Sequence, residues 1–289
     1  VTTHAVNSFL FYVICSQLFI DSGIKNSKTI ALSGVILFTV CPHISEVIVW
    51  EAAYHYLQGF LFILIILRLV QKFQHSQQTK YAIGAGILYF LSTYSLEIFY
   101  LTPWYVLALA LYYRYALGYD SAIFKKTVKW FFVPQLLLFV LHIIVLKIVY
   151  NYLFAHIGTN IWQPFTSYIC KPPRYIFHIL FLGRFFSFET RQIVYQFIGS
   201  NAALIVFYNA FVLLCLHIAG RFSYMSNRAK SSVLLFAWII ITQAILLPLA
   251  FPNMLWVYFD RYTYFLDAFV YMLLALFAGS ISVRFLSAT

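Results

Sequence analysis

Charged side chains are scarce in this chain, so the few that recur at short spacing are where chemistry has to be sought. One group is Cys41-Pro42-His43-Ile44-Ser45-Glu46, continuing through Trp50, Glu51 and His55. Glu46 and Trp50 stand four apart, as do Glu51 and His55, so on a helix each pair shares a face, whereas Glu46 and Glu51 lie roughly 140° apart around the axis. A second group is Ser95-Leu96-Glu97, with Pro103 following. A third is Asp260-Arg261-Tyr262-Thr263-Tyr264, where Asp260, Tyr264 and Asp267 form an i, i+4, i+7 face. A carboxylate in such a place can take a proton from a hydroxyl. An arginine beside tyrosines can hold a phosphate or pyrophosphate through charge-assisted bonds. The fourth group is basic, comprising Lys171, Arg174, Arg184 and Arg191, and suits an anionic lipid carrier. Each group also has a plainer reading: acids at a positive helix start, Trp, Tyr and Arg as interface anchors, and basic residues on bulk headgroups.

Other chemistries lack their motifs. His43 with Glu46, or Glu51 with His55, has a spacing that could ligate a metal, but there is no HExxH and no metal site is assigned. Eight histidines scattered along a chain of this size need no metal. P-loop, GxGxxG and GxSxG patterns are missing, which argues against nucleotide binding and the hydrolase elbow. The four cysteines, Cys15, Cys41, Cys170 and Cys215, have no CxxC spacing and point to neither a zinc site nor a disulfide framework. The net charge of +11 is dispersed over the loops, not gathered on one face, so nucleic acid is not an expected partner.

The elements that must position these groups are membrane helices. Of 289 residues, 63% are hydrophobic and 9% charged, against about a quarter charged in soluble domains. Apolar runs of helix-spanning length recur near residues 4 to 20, 29 to 45, 47 to 69, 81 to 99, 101 to 117, 130 to 152, 203 to 220, 231 to 250 and 264 to 284. The expected fold is all-α, a polytopic transmembrane bundle of about nine spans forming a single domain over 1–289. The long connection 151–202 carries the apolar stretch from Tyr175 to Phe188, broken by His178, Gly183 and Arg184, which reads as an amphipathic interfacial or re-entrant helix. Lys and Arg divide 13 to 5 between the two sets of loops, with Lys147 inside a span, placing the C-terminus in the cytoplasm. Six of the eight acids fall on the opposite, outer side: Glu46, Glu51, Glu97, Glu189, Asp260 and Asp267.

The stretch from Phe38 to Trp50 resembles the "HP-x-H-x-E-x-V-x-W" segment of multispanning GT-C glycosyltransferases, in particular the membrane half of transmembrane and tetratricopeptide-repeat O-mannosyltransferases and their bacterial relatives. Pro42, Glu46 and Trp50 match. Ser95, Glu97 and Pro103 match that family's "SKE" and following proline, and Asp260-Arg261-Tyr262-Thr263-Tyr264 is similar to its "ERYLY". The three agree in order and sidedness over residues 4 to 284. Cys41 and Ile44 replace both family histidines, Leu96 replaces the lysine, and no tetratricopeptide repeats follow. The family also carries an acid in its first outer loop, and this chain reads as starting at the second span, without the first span and that loop.

The resemblance implies transfer of a sugar from a polyprenyl-phosphate donor to an acceptor at the outer membrane face. Glu46, Glu97 and Asp260 are then the candidate catalytic acids. Arg261, Arg184, Arg174 and Lys171 are the candidate ligands of the lipid phosphate, and Trp50, Tyr262, Tyr264 and Asp267 line the pocket. The expected partners are membrane lipids, the polyprenyl-linked sugar and other membrane or secreted proteins. No cofactor is assigned beyond the donor, and a requirement for divalent metal is left open. The expected location is a bacterial cytoplasmic membrane, with the endoplasmic reticulum as alternative. Two other readings stay open: a non-catalytic GT-C-derived subunit of a larger complex and, third, a transporter, for which paired broken helices or inverted repeats are missing.

Overall fold

Inside a bilayer no water is available to satisfy peptide N–H and C=O groups, so a chain of this composition must close its backbone hydrogen bonds within helices. The computed structural model describes residues 1–49, 51–151, 172–180, 185–219, 225–245 and 263–286, and these contain helices and no strand. In chain order, α1 (Thr2–Asp21) and α2 (Ser27–Thr39) lead through a 3-10 turn (Pro42–Ile44) into the short α3 (Ser45–Val49). A second turn (Glu51–Ala53) opens α4 (Tyr54–Ser76). Next come α5 (Thr79–Ser92), a 3-10 segment (Thr93–Leu101), α6 (Thr102–Leu111), α7 (Ser121–Thr127) and α8 (Val133–Tyr150). The remainder is α9 (Pro172–Leu180), α10 (Phe188–Ser200), α11 (Ala202–Ala219), α12 (Asn227–Ile241) and α13 (Tyr264–Leu286).

Local chemistry explains several boundaries. Asn26, Gln77 and Asn151 adopt left-handed backbone angles at helix ends, a conformation that asparagine tolerates better than most residues. Asp120, Ser187 and Ser226 start α7, α10 and α12 by accepting hydrogen bonds from the amides of Ala122, Thr190 and Ala229.

Among the described residues, four helical segments are long and apolar enough to cross a membrane: Thr2–Asp21, Tyr54–Ser76, Ser121–Tyr150 and Asn227–Ile245. Counting each bent pair as one crossing raises this to six, the pairs being Ser27–Thr39 with Pro42–Val49, bent by 50°, and Phe188–Ile198 with Ala202–Leu214, bent by 73°. The chain is thus a multispanning α-helical membrane protein. Several apolar runs are not single straight helices. The run at 29 to 45 breaks before Pro42, whose ring cannot continue the α2 hydrogen-bond ladder. The run at 47 to 69 is divided between the end of α3 and α4, which starts only at Tyr54, and that at 81 to 99 stops as α-helix at Ser92. By contrast, α11 and α13 closely follow the runs at 203 to 220 and 264 to 284. Part of the expected 175–188 helix is α9, which is strongly one-sided and packs against α13. The separate helix α10 has no counterpart among the apolar runs.

The core is built by α13 lying along α2, α2 along α1, and α1 along α4, with α12 beside α13. Phe11, Phe38, Phe60, Tyr264, Phe265 and Phe269 interlock there, mostly edge to face with ring centres 5.0–6.2 Å apart. That geometry suits the quadrupoles of aromatic rings.

At the end where α1 and α4 finish, Asp21 accepts from Tyr113 at 2.6 Å and Gln17 at 2.7 Å, and meets His75 at 3.2 Å. Tyr112 joins Ser22 at 2.6 Å and Ser231 at 2.8 Å. Burial and the Asp21 charge hold the nearby Tyr119 phenol above its usual range. The connections and adjoining helix turns at this end carry Lys25, Lys28, Lys72, Lys80, Lys125, Lys126 and Lys230. The opposite end gathers the start of α1, the Pro42 turn and the starts of α4 and α13.

Helix association without a hydrophobic drive depends on close backbone approach through small residues. At Gly34 on α2, an added Cβ would sit 3.0 Å from the Met272 Cα and 2.8 Å from its Sδ, so side-chain rotation cannot relieve the clash with α13. Gly86 on α5 has nothing within 4 Å of its would-be Cβ. Gly34→Ala is therefore expected to destabilise the fold by about 1–3 kcal/mol. Gly86→Ala should be neutral or stabilising by up to about 1 kcal/mol. Thermal unfolding of the detergent-solubilised pair measures the contrast.

Candidate functional site

The end of the bundle opposite the lysine-bearing loops carries a buried polar centre made by four separate stretches of chain. Cys41 is the extended residue before the Pro42 turn, and the turn presents His43 inward. Asp267 lies in the first turn of α13, preceded by Thr263. His178 comes from α9 and Tyr195 from α10. Proline at the first position of the turn fixes its entry, and the contacts between α2 and α13 bring it against Asp267.

His43 Nδ1 lies 3.5 Å from Asp267 Oδ1, and both side chains have zero exposure. The other carboxylate oxygen, Oδ2, accepts from the Thr263 hydroxyl at 3.2 Å, while the Asp267 amide donates to the Thr263 carbonyl at 2.8 Å. His178 stacks on His43 with ring centres 4.4 Å apart and planes 23° from parallel, and its Nδ1 is hydrogen-bonded to the Tyr195 hydroxyl. The Cys41 thiol points to the Tyr271 hydroxyl at 3.4 Å. Cys41, His43 and Asp267 each bring one donor atom to within 4.8 Å of the others, the one such group of three among the described residues.

A turn away on α13, Tyr264 ties the bundle together. Its hydroxyl meets His4 Nδ1 at 2.9 Å and receives a hydrogen bond from Asn7 Nδ2 at 3.2 Å, and the same Asn7 nitrogen donates to the Leu57 carbonyl at 2.9 Å. Nearby, Thr3 and Tyr54 join at 3.1 Å and the Thr39 hydroxyl donates to Ser8 at 3.0 Å. These bonds stitch α1, α2, α4 and α13 around the polar centre.

Of the residues singled out by spacing, Tyr264 and Asp267 are both sealed in this centre. Glu46 is half-buried on α3, two residues beyond the Pro42 turn. Glu97 belongs to the 3-10 segment Thr93–Leu101, whose Ile98 packs so close to Gly59 that a Cβ there would stand 2.5 Å from its Cγ2. Arg174 and Arg191 are half-buried on α9 and α10. Trp50, Lys171, Arg184, Asp260, Arg261 and Tyr262 lie outside the described residues.

The acid that faces His43 inside this centre is Asp267, far away in the sequence. Cys41 stands in the Cys41–Glu46 group without a role of its own, while His178, Tyr195 and Tyr271 join the centre without any spacing signal. The one hint for His178 is that it interrupts an apolar stretch.

No protein-family model matches the chain, and no curated protein or solved structure matches it either.

Tyr264→Phe removes the acceptor for Asn7 and the partner of His4, leaving buried polar atoms behind. The expected loss is about 1–3 kcal/mol of stability. Tyr54→Phe, on the exposed Thr3 contact, should cost far less, and denaturation of both variants in detergent compares them.

Proposed function

We propose that this protein is a GT-C-like membrane glycosyltransferase that moves a sugar from a polyprenyl-phosphate carrier to an acceptor at the lysine-poor end of the bundle. The observation that carries this reading is convergence. The Pro42–Glu46 segment meets α13 directly after the Asp260-Arg261-Tyr262 stretch, and the segment with Glu97 packs on α4 through Ile98 and Gly59. The Pro42 turn, the 3-10 segment Thr93–Leu101 and the start of α13, remote in sequence, thus adjoin one core of helices. In this reading the shorter helices also cross, giving about nine spans. The lysine-bearing loops and the C-terminus are cytoplasmic, in a bacterial inner membrane or the endoplasmic reticulum.

The reaction requires three events at one place. A carboxylate takes the proton of the acceptor hydroxyl, the acceptor oxygen bonds to the anomeric carbon, and the bond from that carbon to the phosphate oxygen breaks. Negative charge then develops on the departing lipid phosphate, and cationic donors stabilise it. Glu46, Glu97 and Asp260 supply the candidate carboxylates. Arg261, Arg184, Arg174 and Lys171 supply the cations. Trp50 and Tyr262 are the candidate pocket residues, while Tyr264 and Asp267, being fully buried, act by holding the start of α13 that follows Asp260 and Arg261.

The sealing of His43 and Asp267 favours a second reading, a non-catalytic subunit that keeps the fold and its polar centre for stability.

Incubating purified full chain in lipid vesicles with radiolabelled polyprenyl-phosphate mannose and glucose separates the two. The catalytic reading expects sugar release or transfer, reduced about 10²–10⁴-fold in Glu46→Gln and in the Asp260→Asn, Arg261→Gln double variant. Equal rates in wild type and both variants, or no turnover with either donor, would sink it and leave the subunit reading.

A further inference from the structure

We propose that Cys41, His43 and Asp267 are three ligands of a divalent transition-metal ion of the zinc type, buried where the Pro42 turn meets α13. The inference is independent of sugar transfer, because it rests only on the donor atoms, their separations and their surroundings.

Geometry is the first support. Two nitrogen or oxygen ligands on a tetrahedral zinc ion, each bonded at about 2.0–2.2 Å, stand about 3.4 Å apart, and a thiolate sulfur at about 2.3 Å stands about 3.6 Å from either. His43 Nδ1 and Asp267 Oδ1 are 3.5 Å apart, and all three donors lie within 4.8 Å. The alternative for His43 and Asp267 is a simple ion pair. A charge-assisted hydrogen bond between imidazolium and carboxylate would be expected at about 2.7–2.9 Å. The observed separation exceeds that and fits two atoms facing a common ion.

Charge is the second support. A carboxylate with no exposure in an apolar bundle needs compensation. A divalent ion held by one thiolate, one carboxylate and a neutral imidazole is neutral as a unit, so it can be buried without net charge.

The outer contacts fit as well. Metal-bound groups are usually fixed by hydrogen bonds to their far atoms. Thr263 donates to the second oxygen of Asp267 at 3.2 Å. Tyr271 stands 3.4 Å from the Cys41 sulfur, and on a thiolate its hydroxyl becomes the donor. His178, held by Tyr195, stacks on the His43 ring at the edge of the site. A set containing thiolate and imidazole selects zinc and its neighbours over magnesium or calcium, which prefer oxygen.

The test uses the full chain purified in detergent. Elemental analysis should find stoichiometric zinc. After stripping with a chelator, cobalt(II) should restore it, showing the intense visible bands of a tetrahedral ion and a near-ultraviolet sulfur-to-cobalt band. Cys41→Ser should lose the sulfur band, whereas Cys15→Ser, at a buried position of α1, should keep it. Thr263→Val should weaken zinc binding about 10–100-fold. A wild-type protein that carries no zinc and takes up no tetrahedral cobalt overturns the proposal, as does a sulfur band that survives in Cys41→Ser. Should Cys41→Ser fail to fold, the wild-type metal content and cobalt spectrum decide alone. Metal content is read without any sugar donor, so its failure is distinct from failure of the glycosyltransferase reading.

Discussion

A carboxylate with no exposure, set in the first turn of an otherwise apolar helix, constrains everything around it. Removing an isolated ionised carboxylate from water carries a penalty that packing alone cannot offset. Asp267 therefore has to find partners, and it finds them from different parts of the chain: His43 in the Pro42 turn and Thr263 at the entrance to α13. Those partners fix the rotation of α13 about its axis. Tyr264, nearly one turn earlier on that helix, consequently faces His4 and Asn7 of α1. The break that Pro42 imposes on the second apolar run is where the chain turns His43 inward against Asp267.

The two ends of the bundle solve their polar problems differently. At the lysine-bearing end, Asp21 is met by Tyr113, Gln17 and a partly exposed His75, so solvent helps to screen the charge. At the other end His43, Asp267, His178 and Tyr264 are sealed from solvent and must be satisfied within the protein. A buried network of that kind is demanding when any member is missing, and correspondingly specific about which helices may meet. It explains why side chains with acid, imidazole and thiol chemistry gather where α1, α2, α9 and α13 converge.

Much of the architecture was legible in the sequence because a bilayer imposes a length and a composition on its helices. Runs such as 203 to 220 and 264 to 284 coincide with α11 and α13. The misreadings have specific causes. Hydropathy averages over breaks, so it cannot see that Pro42 bends one run or that residues Thr93–Leu101 tighten into 3-10 geometry. It also overlooks α10, whose Glu189, Arg191 and glutamines dilute the apolar signal. The candidate site was half visible. Asp267 and Tyr264 stood out as polar groups on a helix face, but His43 looked like a neighbour of Glu46. Helix spacing cannot report a partner supplied by another helix, and only tertiary packing joins His43, Asp267, His178 and Cys41.

Where the apolar surface lies completes the physical argument. The α4 helix and the Ser121–Tyr150 segment are both apolar enough to span a membrane, yet 61% of the most apolar stretch of α4 is buried in the bundle against 6% for the other. Leu137, Leu141, Ile148 and Val149 all point outward from α8. In water that exterior would be an aggregation surface. Against lipid tails it costs nothing, and burying it would gain little. The gain from association must then come from close packing and from hydrogen bonds made inside. The interior polar groups follow that pattern: Gln71 donates to the Ile14 carbonyl at 3.0 Å, Gln74 to Thr127 at 2.8 Å, and Trp238 to the Tyr105 carbonyl at 3.3 Å. Each joins two helices that apolar contacts alone would leave free to slide. Polar residues therefore set the register of this bundle, and the centre around Asp267 is the strongest case of the same rule.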